Sequence, residues 1–164
     1  MDAITFAKGQ IEQAFGLAAM AAKDMTDEQY NAAPGGTSNS AAKSHVHAIT
    51  SMDFFISGLI GGGKLGWSDF APKHGLPANP MEIWGFSGTI PLEPMNEYTS
   101  AVKERVLDQV GAMREADLDR QIETQFFGTQ TAAWILQLAT AHLAAHGGDM
   151  AAAKGAQGLK GLPF

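Results

Sequence analysis

Apolar residues recur every three or four positions along four stretches of the chain, which is the spacing expected on one face of an α-helix. In the first stretch Ile4, Ile11 and Phe15 share one face with alanines. In the third stretch Val102 and Val106 share one face with each other. The pattern predicts four helices, over residues 2–23, from 38–40 to 60, over 94–114, and from 129 or 131 to 154.

Turn-forming residues mark the ends of these helices. Thr26 suits an N-cap position, and Pro34-Gly35-Gly36 interrupts the chain before the second helix. Gly61-Gly62-Gly63 ends the second helix, and Pro94 suits the first turn of the third. No internal repeat is visible, so we expect one domain over residues 1–164. The predicted fold class is all-α, a four-helix bundle with a long irregular connection between helices 2 and 3.

That connection, residues 61–92, holds Trp67, Phe70, Trp84 and Phe86 among prolines and glycines. A connection of this length without regular structure is usually functional or covers another part of the molecule. Its aromatic residues indicate a packed lid over one end of the bundle. A simple cap on the core and a substrate-binding role both remain open.

The composition excludes several classes of function. The formal net charge is -6 and no basic run occurs, which argues against a nucleic-acid partner. Without cysteine, the chain has no disulfide, thiolate nucleophile or cysteine-bound metal. No apolar run is long enough to cross a bilayer, and residues 1–8 lack a signal-peptide pattern. We therefore expect a cytoplasmic protein with no membrane partner.

Candidate chemistry lies in the fourth helix, where His142 and His146 are four residues apart. Four residues advance an α-helix by about 400°, so the two imidazoles stand roughly 40° apart on one face. Ile135, Leu138 and Met150 extend that face, which therefore points into the bundle. Buried imidazoles need hydrogen-bond partners or a metal ion, and the pair alone is a weak indication of the metal.

A metal site would need a third ligand, and His45, His47 and His74 remain. His74 lies in a loop, where we expect it to be exposed to solvent. His45 and His47 are about 200° apart on the second helix, so we do not expect both to face the core. The apolar period slightly favours His45, whereas the small and polar residues around His47 would suit a water-containing cavity. The period leaves this choice open.

Two motifs resemble the DinB-like (DinB/YfiT) superfamily of metal-dependent enzymes. Asn39-Ser40-Ala41-Ala42, followed by the segment 47–56 with its His-…-Asp-Phe-Phe sequence, is similar to the family's second helix. His142-x-x-x-His146-Gly147-Gly148 and the tail from Lys154 to the Gly-Leu-Pro ending are similar to its fourth helix and C-terminus. By this resemblance, His47, His142 and His146 correspond to the family's three-histidine metal triad.

The resemblance implies a divalent metal ion, zinc or nickel first, with an open position for water. It also implies a metal-dependent hydrolase or a transferase that uses a low-molecular-weight thiol, acting on an unknown small-molecule substrate. A homodimer is compatible with it. Acceptors for the second ring nitrogens of the ligands are expected among Glu12, Asp53, Gln137 and Asp149. The alternative is a non-catalytic helical module that binds a metal or a small ligand, or dimerises.

Overall fold

Four long helices form where the apolar period predicts them. The structure, a computed structural model, describes all residues from Met1 to Phe164. The long helices are α1 (Ala3–Ala22), α3 (Ala41–Asp53), α5 (Leu92–Gly111) and α6 (Ala132–Ala156). The predicted helical fold is confirmed, and each observed boundary lies within about three residues of its prediction, apart from the end of the second helix.

The ends of the helices are satisfied by the side chains that flank them. Asp2 caps α1, Ser40 caps α3 and Thr131 caps α6, each accepting a hydrogen bond from a backbone N–H of the first turn. Thr26 begins the short helix α2 (Asp27–Asn31) with a reciprocal capping box, as its sequence position predicts.

The helices bury their apolar faces against one another. Helix α6 packs against both α1 and α3, and α5 packs against α1 and α3. The interior is filled by large side chains from all four helices, with small alanines between them that let the helices approach closely. The largest buried side chains on the long helices include Ile11, Phe15, Ile49, Met52, Met95, Ile135, Leu143 and Met150.

Helix α3 does not stop at Asp53 but continues as a π-helical segment, Phe54–Ile60. The helix therefore ends at residue 60, as predicted, although the π-helical hydrogen bonding of its last seven residues was not predicted. A π-helical segment is rare and is often found near functional sites. Here it places Phe55 next to His142 of α6, and the Phe54 ring packs against that of Phe55.

The long connection between α3 and α5 is more regular than the sequence suggests. It contains the short helix α4 (Trp67–Phe70) and two 3₁₀ turns, Ala71–His74 and Pro80–Gly85. The Trp67 ring is buried against Tyr98 of α5, and its indole N–H donates to the Pro77 carbonyl oxygen. The 3₁₀ turn at 80–85 packs against α3. The connection thus lies along α3 and α5.

A small β-hairpin precedes α6 and was not predicted. Strands β1 (Gln121–Thr124) and β2 (Gly128–Thr131) pair antiparallel, with Gln121 opposite Thr131. Each strand has only four residues, too few to show a clear two-residue period in the sequence, although β1 alternates exposed and half-buried residues. A 3₁₀ turn, Glu115–Asp119, joins the hairpin to α5. No helix in the structure combines the length and the apolar character that crossing a membrane would need.

Candidate metal centre

The regular turn of α6 brings His142 and His146 together as predicted. Their ring centroids are 4.5 Å apart, and the rings stand nearly edge to face. Leu143 and Gly147, which follow them, are buried, so this part of α6 is held firmly against the rest of the bundle. The two imidazoles therefore have a fixed spacing that suits a shared ligand.

Helix α3 adds His47 to this pair. The Nε2 atoms of His47 and His142 are 3.2 Å apart, and the centroid of the His47 ring is 4.8 Å from that of His146. One nitrogen from each of the three rings lies within 4.8 Å of the others, an arrangement that could hold a metal ion. The structure thus brings together the three histidines that the family resemblance singled out.

The donor set fits a divalent metal. Ligand nitrogens about 2.0–2.1 Å from a tetrahedral ion stand roughly 3.3–3.4 Å apart, close to the 3.2 Å between His47 and His142. The Nδ1 atom of His142 is buried without a hydrogen-bond partner, so its ring is not held by a hydrogen bond on that side. Three neutral imidazoles are ligands that zinc, nickel and other first-row metals accept.

Burial keeps two of the three imidazoles neutral. The pKa of His47 and that of His142 are lowered to about 4, first by burial and then by neighbouring histidines of the cluster. A neutral imidazole has a free lone pair for a metal, whereas a protonated one repels the ion. His47 and His142 are therefore available to a metal throughout the neutral pH range.

His45 takes a different place, in the core on the opposite side of α3. It is 1% exposed and lies between Tyr30 and Thr99. The two histidines lie on opposite sides of α3, as their separation of about 200° predicts, and protein covers both sides of the helix. Helices α2 and α5 pack over His45, while α6 and the 80–85 turn pack over His47. Periodicity identified His45 as a core residue correctly.

The hydrogen bonds of His45 define its tautomer. The Thr99 hydroxyl donates to the Met95 carbonyl oxygen at 2.8 Å, so it must accept from the Nε2–H of His45 at 2.9 Å. The Nδ1 atom then accepts from the Tyr30 hydroxyl at 2.8 Å. This neutral chain satisfies every polar atom of the ring, and burial lowers the pKa of His45 to about 4. His45 thus has a structural role.

Substitution Tyr30→Phe is expected to lower the free energy of unfolding by about 1–3 kcal/mol, because it leaves Nδ1 of the buried His45 without a donor. Urea denaturation measures this loss. The control is Tyr98→Phe, which removes a longer hydrogen bond, 3.3 Å, from the Tyr98 hydroxyl to the Asp53 carboxylate. That carboxylate keeps its other hydrogen-bond donors. Equal losses in the two variants would contradict the hydrogen-bond chain through His45.

Acidification is expected to destabilise the metal-free protein between about pH 6.5 and pH 4. The pKa of His45 is about 4 when folded and about 6.5 when unfolded, so in this window only the unfolded chain takes up the proton. The stability contributed by neutral His45 is complete above pH 6.5 and falls by roughly 3 kcal/mol by pH 4. Denaturation at several pH values measures the slope, which His45→Gln should reduce; an unchanged slope would contradict this assignment.

His74 lies outside the cluster and is less exposed than predicted. It ends the 3₁₀ turn at 71–74, and its ring packs 4.4 Å from that of Phe70. Phe70 in turn stacks on Tyr98 of α5. The prediction of a solvent-exposed loop was wrong because the residues around His74 form a helical turn whose aromatic rings are packed together.

Of the four candidate acceptors, one contacts a histidine of the cluster. The Asp149 carboxylate and the Nδ1 of His146 are 2.8 Å apart, which leaves the Nε2 of His146 free to point toward the other rings. Asp53 is fully buried but accepts from Arg105, Tyr98 and the backbone N–H of Gly66 instead. Glu12 and Gln137 are exposed and make no such contact.

Two aromatic side chains border the cluster, and their role was missed in the sequence. The Trp84 ring is 4.8 Å from that of His47, and the Phe55 ring is 6.0 Å from that of His142. The Trp84 carbonyl oxygen accepts from the Lys43 ammonium, which ties the 80–85 turn to α3. The aromatic content of the long connection was the available signal, but it could not identify which ring reaches the site.

Comparison with known proteins agrees with this architecture. The model of the DinB superfamily matches residues 10–150. A conserved protein from Enterococcus faecalis has a similar structure with a TM-score of 0.81 and 16% identity, over 95% of this chain and 97% of that one. The DinB-like protein YjoA from Bacillus subtilis has a TM-score of 0.68 and 21% identity, over 97% of this chain and 96% of that one. No curated protein matches the chain. At these identities the two structures show a shared fold.

Proposed function

The chain belongs to the DinB superfamily, and from that premise we propose that it is a metal-dependent enzyme whose ion is held by His47, His142 and His146. The observation that carries this proposal is the convergence of three imidazole nitrogens from two helices within 4.8 Å. Zinc or nickel is the expected ion, since imidazole suits both.

Three neutral imidazoles would leave the full +2 charge on a bound ion, which would supply Lewis-acid chemistry to the site. The protein's own contribution is to hold the rings in place. Asp149 accepts from His146 and fixes its tautomer, while the rings of Trp84 and Phe55 pack beside His47 and His142.

Asp149 is the carboxylate in contact with the three histidines, and one of its oxygens is paired with His146. Asp53 is paired with Arg105 instead. Activation of a nucleophile would therefore depend chiefly on a bound ion. A low-molecular-weight thiol loses its proton more readily than water does, and its soft sulfur suits zinc and an aromatic environment. We therefore favour thiol transfer over hydrolysis.

The experiment compares the two reactions in tag-free protein loaded with zinc or nickel. Conjugation of a small thiol to 1-chloro-2,4-dinitrobenzene reports transfer, and hydrolysis of 4-nitrophenyl acetate reports attack by water. We expect metal-dependent conjugation that is absent from the metal-free protein and from His142→Ala. Ester hydrolysis alone would indicate a hydrolase. Neither activity in protein shown to contain metal would favour the non-catalytic metal-binding module.

A further inference from the structure

A polar pocket of about 300 Å³ lies beside the histidine cluster, between the start of α3 and the last turns of α6. Ser44 is less than one turn before His47 on α3, and Asp149 is less than one turn after His146 on α6. Both residues line the pocket, so it adjoins the candidate metal centre along the groove between these helices. The lining residues are Pro34, Ser38, Asn39, Ser44, Asp149, Ala152 and Ala153.

Ser44 lines the pocket and has no hydrogen-bond partner for its hydroxyl group in the protein. The residue as a whole is 4% exposed, and its side chain makes no hydrogen bond within the chain, in contrast to Thr50 on the same helix, which donates to the Val46 carbonyl oxygen. Since Ser44 lines the pocket, a molecule in the pocket would supply the missing partner.

The charge in the pocket favours a cation. One oxygen of Asp149 contacts His146, while the other oxygen makes no hydrogen bond in the protein. No lysine or arginine lines the pocket. The N-terminus of α3 carries about half a positive charge, which the full charge of Asp149 outweighs. An anionic ligand would therefore be repelled, whereas an ammonium group could donate directly to Asp149.

We propose that this pocket binds the ammonium-bearing, hydroxylated end of a small substrate whose reacting group lies at the three histidines. The ammonium donates to Asp149, and the neighbouring hydroxyls exchange hydrogen bonds with Ser44, Ser38 and Asn39. Ala152 and Ala153 form an apolar wall against the carbon skeleton. The inference rests on the proposed function, because it assigns the pocket to the substrate of the same site.

The test uses metal-free, tag-free protein and two small probes that differ at one group. 2-Amino-1,3-propanediol has an ammonium where glycerol has a hydroxyl. In an NMR titration of ¹⁵N-labelled protein, we expect saturable shifts of the Ser44 and Asp149 amides with the amine. We expect affinity for glycerol to be about tenfold weaker, because a charge-assisted hydrogen bond replaces a neutral one.

Variants separate the pocket from general surface effects. Asp149 is exposed enough for Asp149→Asn to fold normally, and this change should remove the preference for the amine over glycerol. Ser44→Ala should weaken both probes by a few-fold, and Glu12→Gln, an exposed acid on α1, should change nothing. Equal affinity for the two probes, an unaltered preference in Asp149→Asn, or no saturable shift at the pocket would overturn the proposal.

The two proposals fail in different ways in this design. The probes are titrated without metal, and metal content is measured on separate samples. Protein that binds zinc but shows no preference for the amine would refute the pocket and leave the metal centre standing. Protein that prefers the amine but binds no metal would retain the pocket as a binding site and refute its role as part of an enzyme.

Discussion

Substitution His47→Ala is expected to weaken binding of zinc or nickel by about 100-fold or more. Loss of an outer hydrogen-bond partner of a ligand already lowers metal affinity by about 10–100-fold, so loss of a ligand should exceed that range. The remaining pair, His142 and His146, can still hold an ion, but with one contact fewer and without the ring that lies 3.2 Å from His142. Competition titration with a chromogenic chelator measures the change.

Two other histidines provide matched controls for this result. His45→Gln and His74→Ala should each leave metal affinity within a few-fold of the unmodified protein, because neither ring belongs to the cluster. Glutamine at position 45 keeps a polar side chain between Tyr30 and Thr99, which limits unfolding. A loss of affinity in His45→Gln as large as that in His47→Ala would show that the helix-α3 ligand had been assigned incorrectly.

Removal of the metal is expected to lower the melting temperature at neutral pH. An ion that binds only the folded chain adds about 4 kcal/mol when its free concentration is 1,000 times the dissociation constant. For a domain of this size, about 1 kcal/mol corresponds to roughly 2–4 °C, so chelation should lower the melting temperature by about 8–16 °C. Scanning calorimetry with and without a strong chelator measures the shift.

The stabilisation by metal should persist in mildly acidic solution. Burial lowers the pKa of His47 and that of His142 to about 4, so protons compete with the ion for these two ligands mainly as the pH approaches that value. His142→Ala, which removes one ligand, is the control and should show little response to chelation. A melting temperature that stays constant after the ion has left would mean that the cluster is not coupled to folding.

Much of the fold follows from helical periodicity and capping residues. Helices α1, α5 and α6 each bury one apolar face, and residues such as Ser40 and Thr131 mark helix starts. The hairpin at 121–131 escaped prediction because each strand has only four residues, nearly all of them polar or glycine. The π-helical path of 54–60 also escaped, since its residues suit an α-helix equally well.

The candidate site was only partly predictable from the sequence. The spacing of His142 and His146 determines their proximity within one helix, whereas the distance between α3 and α6 depends on tertiary packing. Periodicity could not choose between His45 and His47, because α3 is surrounded by protein and both sides of it are covered. The resemblance to the DinB-like family singled out His47, and membership of the DinB superfamily is confirmed.

X-ray absorption spectroscopy of zinc-loaded, tag-free protein would identify the ligands of the ion. We expect one zinc per chain, bound by about three imidazole nitrogens and one further light atom at roughly 2.0–2.1 Å. In His47→Ala the number of imidazole ligands should fall by one, whereas in His74→Ala the spectrum should not change. A zinc ion with fewer than three imidazoles in the unmodified protein, or one whose spectrum is unaltered in His47→Ala, would contradict a metal centre formed by His47, His142 and His146.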